Sequence, residues 1–491
     1  MDIVKTLSVL LIATVSAFVQ ADDLFAGSGV AAKSLEECNT DLQRLNHVIG
    51  WQVEWPREWQ ASVANGPEHI NDALKRWAGF ELAINQAIDD LSRGLNSQRA
   101  APRIVVAKVH QQVEDLLAIL QDAKSPMKFS ELDHKHAERW NRFVENSIVP
   151  SVSKYEHFLK DQYLPKASQY SGLYGSKGNK ECFFSAVQWW TSLKPSQEEI
   201  DRIGKQYLNS AMAKLAKTST QNESVDELML RLKKGTGNSD VSKQEIITIS
   251  ERAIENAFSK IPEAFLYPLK KNLVVSEMSQ HIQDSAPAGY YQGPRGSVPA
   301  QYIINTSRPE ERRLMAEVLA FHEGIPGHYL WDTYPRKIDS DEYISGLLEG
   351  WAIYAEYLAD ELHLYSSTFD RQGMMAKHLW AASRLIIEPG LHLKGWSRDT
   401  AVNFMLNNTL LSKREAEIEV DRYIAMPGQS LSYILGADVI LSERDKAMAV
   451  LGEAFDLAQF HDVILQEGVR PLPQVRNDIR RWVKSMAEKA S

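Results

Sequence analysis

The chain has 491 residues, 44% of them apolar and 24% charged, with a formal net charge of −9. That balance suits a soluble globular protein long enough for more than one structural unit. There is no basic run and no basic half, so a nucleic-acid partner is not expected; the acidic balance favours solubility and carries no information about fold.

In chain order, the first segment is "MDIVKTLSVLLIATVSAFVQADD". Lys5 precedes an apolar run from Leu7 to Val19, and small residues at Val19 and Ala21 sit where a signal peptidase cuts. The expectation is a secretory signal over residues 1–21, cleaved after Ala21, and a periplasmic or secreted protein. The run is shorter than the ~20 apolar residues a spanning helix needs, so stable membrane insertion is not expected after removal of the signal; an uncleaved anchor is the alternative. No cysteine follows the cut, so no lipid anchor is expected either. In an oxidising compartment the chain's two cysteines, Cys38 and Cys182, can be joined, although sequence alone does not bring them together.

Beyond this segment helical periodicity dominates. "DALKRWAGFELAINQAIDDL" places Leu74, Trp77, Leu82, Ile84, Ile88 and Leu91 near one face, and "IVVAKVHQQVEDLLAIL" does the same with Val105, Val109, Val113, Leu116 and Leu120. Ser242 with Glu245, and Ser412 with Glu415, have capping-box spacing at the start of two further helices. From Asn272 to Thr306 the pattern changes: "NLVVSEMSQ", "AGYYQG" and "AQYIINT" are short β-branched and aromatic runs separated by Pro and Gly, which predict two or three short strands. The expected architecture is mainly α: a large two-lobed helical body, residues 22–270 forming an N-terminal lobe and 271–491 a catalytic lobe with the small sheet beside a central cleft.

The segment after the strands, "LAFHEGIPGHYLW", carries chemistry. Histidines at i and i+4 of a helix share one face and can reach one metal. His322 and His328 are six apart, which leaves them about 120° apart on an ideal helix. Gly324, Pro326 and Gly327 make an ideal helix unexpected, and a bulge or bent turn could bring His328 back. Next, "SGLLEGWAIYAEYLADEL" puts Glu349 and Glu356 almost two turns apart on one face of an apolar helix. Carboxylates there are costly unless they pair or bind a metal, and a carboxylate on a following helix completes a His-His-Glu zinc set. Helical phase does not separate the two glutamates.

Two later segments interrupt apolar helices with polar groups. In "ASRLIIEPGLHLKGWSRDT", Arg384, Glu388 and His392 are four apart, and Pro389-Gly390 is expected to end the helix before His392. In "EIEVDRYIAMPGQSLSYILG", Asp421, Arg422 and Tyr423 precede a Pro427-Gly428 break, with Gln429 and Tyr433 beyond it.

"HEGIPGH", "EGWAxYAE", "GLHxxGWS" and "RYxxxPGQxLSY" occur in this order, and together they resemble the large bacterial domain-of-unknown-function family 885, most densely from Tyr290 to Gly436. That family resembles gluzincin metallopeptidases and, more loosely, the all-helical peptidases of the angiotensin-converting-enzyme type. "LLEGWAIYAE" is similar to the gluzincin aminopeptidase helix whose glutamate is the third zinc ligand, which selects Glu349 over Glu356. "IIEPGLH" stands where the resemblance leads one to expect an aspartate and a threonine; Glu388 keeps the acid.

The resulting expectation is a secreted zinc hydrolase acting on peptide or peptide-like amide bonds. His322, His328 and Glu349 bind Zn²⁺, Glu323 is the general base, and Glu356 orients a ligand histidine. Tyr433, or else His392, donates to the developing oxyanion. Arg422 or Arg384 pairs with a substrate carboxylate. Tyr423, Gln429 and Tyr302 are expected to line the substrate site, with the strand "AQYIINT" pairing with an extended substrate backbone. The competing classes are a non-catalytic envelope binding protein on the same scaffold and a zinc amidase or esterase with a non-peptide substrate.

Overall fold

The computed structural model describes residues 45–490, except 54, 57–69, 123–133, 220–222, 236–239, 280–282, 284–286, 295–297 and 338–342. The signal segment and Cys38 lie outside the described residues. Cys182 is disulfide-bonded, and the chain contains one other cysteine.

Among the described residues the chain is mainly helical. Helices α1 (Ile70–Trp77), α2 (Phe80–Asn96), α3 (Arg103–Gln121) and α4 (Val149–His157) form the N-terminal part. In α3 the expected stripe Val105, Val109, Val113, Leu116 and Leu120 is buried throughout. The preceding stripe is not continuous. Gly79 starts a new helix after Trp77, which shifts the phase, so Trp77, Ile84 and Leu91 are buried while Leu82 is 74% exposed.

Helices α5 (Asn179–Thr191), α6 (Gln197–Ala216) and α7 (Lys243–Ala264) come after them. Ser242 caps α7 by accepting from the Glu245 N–H. The sheet is next: β1 (Leu273–Glu277), β2 (Gly289–Gln292) and β3 (Ala300–Ile304), all three within the predicted runs, in the order β1-β3-β2. β1 runs parallel to β3 and β2 antiparallel to it, with Tyr302 opposite both Val275 and Tyr291. Because β3 is the middle strand, its backbone already pairs on both edges, and it cannot also pair with a substrate. The strand at the edge beside the site is β2.

Then come α8 (Ala316–Glu323), α9 (His328–Thr333), α10 (Ser345–Glu361), α11 (Thr368–Leu393), α12 (Lys413–Ala425), α13 (Ser432–Leu451) and α14 (Leu472–Ala490). α12 opens with the full capping box between Ser412 and Glu415. The chain bends by 112° between α12 and the helical segment that begins at Gln429. No described single helix is long and apolar enough to cross a membrane.

One hydrophobic core runs through the described residues on both sides of residue 270. α6 packs along α11, and α7 packs against α8, so helices from the first part support the later ones directly. α10 and α13 pack closely through facing glycines. A Cβ on Gly436 would lie 1.8 Å from the Gly346 carbonyl oxygen, and one on Gly350 would lie 2.5 Å from Gly436 backbone atoms. Gly436→Ala is therefore expected to cost at least about 2 kcal/mol by overpacking, read as a lower denaturant midpoint at unchanged m-value.

Candidate metal centre

His322 and Glu323 are the last two residues of α8. Gly324 ends that helix, the Ile325–Pro326 peptide is cis, and Gly327 precedes α9, whose first residue is His328. The turn folds back onto the end of α8. The Tyr329 N–H donates to the Gly324 carbonyl at 3.1 Å, and the Trp351 indole N–H of α10 donates to the Pro326 carbonyl at 3.0 Å. The fold-back demands glycine at 327, since a Cβ there would sit 1.9 Å from the His322 carbonyl oxygen. The two extra residues are thus absorbed by ending one helix and starting another. The imidazoles of His322 and His328 end 4.9 Å apart, nearly perpendicular at 87°.

Glu349 of α10 meets both histidines. Its Oε2 is 3.3 Å from His322 Nε2 and 3.5 Å from His328 Nε2, and all three side chains are buried. Glu349 Oε2 is buried without a hydrogen bond. Burial would raise the Glu349 carboxyl, but His322 and His328 outweigh it and hold the group well below the ordinary carboxylate range.

Glu356, two turns further along α10, takes the other side of the His322 ring. Its Oε1 is 2.7 Å from His322 Nδ1 and accepts from Lys377 Nζ at 2.6 Å; Oε2 is 2.9 Å from His378 Nε2. Burial opposes ionisation of Glu356 too, and the Lys377 charge leads the contacts that overcome it. The geometry thus divides the two glutamates that helical phase does not: Glu349 stands between the two Nε2 atoms, and Glu356 behind one of them.

Glu323 is buried beside the histidines, and its Oε2 accepts from the Tyr291 N–H of β2 at 2.9 Å. Burial raises its carboxyl above the usual value, against the pull of His322 and His328. β2 is tied on the same side by the Tyr291 hydroxyl, which donates to Asp332 of α9 at 2.6 Å.

Tyr433 of α13 lies parallel to the His322 ring, 6.1 Å away at 14°. Burial first, and then the Glu349 charge, push its phenol well above the ordinary value, so it keeps its proton. Arg384 Cζ is 4.2 Å from the Tyr433 ring centre and 4.5 Å from the Trp380 ring centre. Arg384 Nε donates to the Tyr423 hydroxyl at 3.1 Å, and that hydroxyl donates to Glu419 at 2.8 Å. Arg422 reaches the same Glu419 carboxylate at 2.8 and 3.3 Å, and its Nη1 donates to Gln429.

Four sequence-based expectations are corrected by this geometry. α11 does not end at Pro389 but runs to Leu393, so His392 remains helical and fully buried. Its Nδ1 accepts from the Leu173 N–H and its Nε2 donates to the Tyr423 carbonyl, both at 3.1 Å, and burial lowers its pKa to about 4. With both nitrogens engaged by backbone, His392 is a neutral core residue and not an oxyanion donor. Tyr423 is fully buried, with its hydroxyl shared among Trp380, Arg384 and Glu419, so it holds the arginines and does not line the site. Gln429 likewise holds Arg422. Tyr302 is 1% exposed within the sheet and forms a wall behind Glu323 rather than a substrate contact.

His392→Ala is expected to cost about 3 kcal/mol through the cavity and two unpaired backbone groups. Any catalytic rate per folded molecule should stay within about threefold of the parent, because the side chain touches nothing at the centre; thermal melts and rates normalised to folded protein check both halves.

Glu388 also has a structural duty: it accepts from the Gly428 and Ser430 N–H groups and the Ser430 hydroxyl, which fixes the turn after α12. Burial pushes its carboxyl to about 7. Lys377, His378 and Glu419 join the site without any motif that marks them. The available signal is a Lys-His pair and a glutamate inside otherwise apolar helices, where burial demands partners. A second grouping, His110, Glu114 and Glu156, lies in the N-terminal part, where Glu156 is paired with His110 at 2.9 Å and Lys160 at 3.8 Å.

The donor set fits zinc. Two ligand atoms about 2.0–2.1 Å from one tetrahedral ion are ~3.4 Å apart, which matches the 3.3 and 3.5 Å separations from Glu349 Oε2 to the two Nε2 atoms. An ion there would also satisfy the orphaned Glu349 Oε2.

Solved structures that share the fold include two that span most of this chain. A protein from Colwellia psychrerythraea, described as a candidate lipoprotein, aligns with a TM-score of 0.80 at 23% identity over 91% of this chain and 82% of that one. A protein from Shewanella oneidensis, described as a candidate lipoprotein of unknown function, aligns with a TM-score of 0.66 at 16% identity over 94% of this chain and 98% of that one. No protein of curated function matches in sequence. The family of bacterial proteins of unknown function DUF885 matches residues 13–479, and the chain belongs to it.

Proposed function

We propose that the protein is a zinc-dependent hydrolase of peptide or peptide-like amide bonds, working in the bacterial envelope. The observation that carries this reading is the buried Glu349 oxygen held at zinc-ligand spacing from two imidazole nitrogens, with the Glu323 carboxyl beside them. The order of these elements, a His-Glu pair ending one helix and a glutamate on the next long one, supports kinship with gluzincin peptidases. The exported N-terminus read from the sequence and the description of both structural neighbours as candidate lipoproteins support an envelope location.

A zinc ion held by His322, His328 and Glu349 would polarise a substrate carbonyl and bring a bound water's pKa near neutrality. The protein's own groups divide the remaining work. Glu356 accepts at His322 Nδ1 and so leaves Nε2 as the donor atom, while Lys377 keeps Glu356 charged. Glu323, anchored through Oε2 by the β2 backbone, presents Oε1 to take a proton from the attacking water. The water oxygen bonds to the carbonyl carbon, the C–N bond breaks, and Glu323 returns the proton to the leaving nitrogen. Tyr433, protonated and parallel to His322, is placed to donate to the carbonyl oxygen as it gains charge.

The reading is tested by incubating zinc-equilibrated protein with a mixed peptide library and identifying products by mass spectrometry. Cleavage that a chelator removes and zinc restores is the expected result. A library left intact by protein with stoichiometric zinc would contradict a peptidase.

A further inference from the structure

Resting on the hydrolase reading, we infer that Arg384 and Arg422 bind the C-terminal carboxylate of the substrate, one or two residues beyond the cleaved bond, which makes the enzyme a carboxy-terminal exopeptidase. Charge is the first ground. Two guanidinium groups share a single carboxylate, Glu419, inside the protein. Burying each without a counter-charge is expensive. The next carboxyl to act on Arg422, Glu388, accepts from the neutral Gly428 and Ser430 groups and is pushed to about 7 by burial, so it offsets the excess only in part. Tyr423 and Gln429 bring neutral partners. The cluster of two arginines and Glu419 therefore carries positive charge in excess, and Arg384 and the His322 ring both lie against Tyr433.

Distance then selects the substrate group. From the His322 ring to the Tyr433 ring is 6.1 Å, and from there to Arg384 Cζ is 4.2 Å. The guanidinium is thus no more than about 10 Å from the imidazole, the reach of two or three extended residues at about 3.5 Å each. Allowing for the contact distances at either end, one or two residues fit between a carbonyl attacked beside His322 and an anion bound at the arginines. The group on that side of a cleaved bond is the leaving amine and the chain beyond it, which ends in a carboxylate. A free α-amine at the same place would meet excess positive charge, which disfavours cutting from the N-terminus.

The arrangement is also rigid. Arg384 is sandwiched between the Trp380 and Tyr433 rings, and Tyr423 and Glu419 fix its edge. Arg422 is fixed by Glu419 and Gln429, and its side chain retains 15% exposure. Arg422 Nε and Nη2 are taken by Glu419 and its Nη1 contacts Gln429, so a carboxylate would meet the remaining Nη hydrogens of the two held guanidinium groups. Glu419 tethers the two groups together and leaves their combined charge positive, which a substrate carboxylate would offset.

The test uses zinc-loaded full-length Glu323→Gln protein, which binds without turnover, and calorimetric titration with three N-acetylated alanine-rich tetrapeptides: the free acid, the C-terminal amide, and an amide ending in Glu. The free acid is expected to bind at least about tenfold tighter than either amide. Arg422→Gln in the same background, with melting temperature and zinc content checked, should bring the acid to the level of the amide. Equal binding of acid and plain amide, or no binding of either, overturns the carboxylate site. Binding of the Glu-terminated amide as tight as that of the acid overturns the terminal assignment in favour of a side-chain carboxylate. These outcomes are independent of the hydrolase reading, which stands or falls on library cleavage: internal cleavage of amidated peptides would keep the hydrolase and remove the exopeptidase.

Discussion

Glu323→Gln is expected to lower kcat/KM by at least about a hundredfold on every peptide that the parent cleaves, with zinc content and melting temperature nearly unchanged. General acid–base groups typically contribute about 10²–10⁴-fold, and glutamine is nearly isosteric but cannot shuttle a proton. The local structure tolerates the change, because the contact from the Tyr291 N–H is to an oxygen that the amide also offers. His322, His328 and Glu349 are untouched. The loss should fall on kcat, since the role proposed for Glu323 is on the attacking water and not on substrate binding. Retained activity would assign the base elsewhere; lost zinc would make Glu323 a ligand or a support of one.

The second large effect separates the two glutamates of α10. Glu349→Gln is expected to weaken zinc binding by more than the about 10–100-fold that loss of an outer partner causes, whereas Glu356→Gln should fall within that range. The reason lies in which atom each touches: Glu349 Oε2 faces the Nε2 atoms of both His322 and His328, whereas of these two rings Glu356 touches only His322, at Nδ1. Because bound metal stabilises the folded state by mass action, the same order should appear in the melting temperature gained on adding zinc: largest for the parent, reduced for Glu356→Gln, and close to nothing for Glu349→Gln. Competition with a metal-sensitive dye measures the affinities. The reverse order would exchange their roles.

Much of the fold is legible in the residues. The three strands announce themselves by β-branched and aromatic runs between Pro and Gly, and the capping serines mark where α7 and α12 begin. The centre is legible in part for the same local reasons: a His-Glu pair closing an apolar helix, and two glutamates in phase on another. The hidden parts depend on packing across the chain. Pro389 has the local look of a helix end, yet α11 is buried along nearly its whole length, and that packing outweighs the cost of about 3 kcal/mol for an interior proline. His392 then loses the freedom the turn would give it. Leu82 falls on the apolar face only through a periodicity that Gly79 interrupts. β3 has the composition of a strand that could meet substrate, but strand order is a tertiary property, and β1 and β2 enclose it. Lys377, His378 and Glu419 gain meaning only from partners on other helices, which no local pattern reveals.

The spacing of His322 and His328 is the instructive case. On one helix, six residues would set the rings about 120° apart. The Gly-Ile-Pro-Gly insertion ends α8 and lets α9 begin at His328, so phase along a single helix ceases to matter. Gly327 permits this by coming closer to the His322 carbonyl than a side chain would allow.

The central claim is that these three side chains form a zinc centre, and anomalous diffraction at the zinc absorption edge tests it most directly. Crystals of the zinc-equilibrated full-length protein should show one strong peak bounded by His322 Nε2, His328 Nε2 and Glu349 Oε2. No peak there at stoichiometric zinc, or the dominant peak beside His110 and Glu156, would contradict the account.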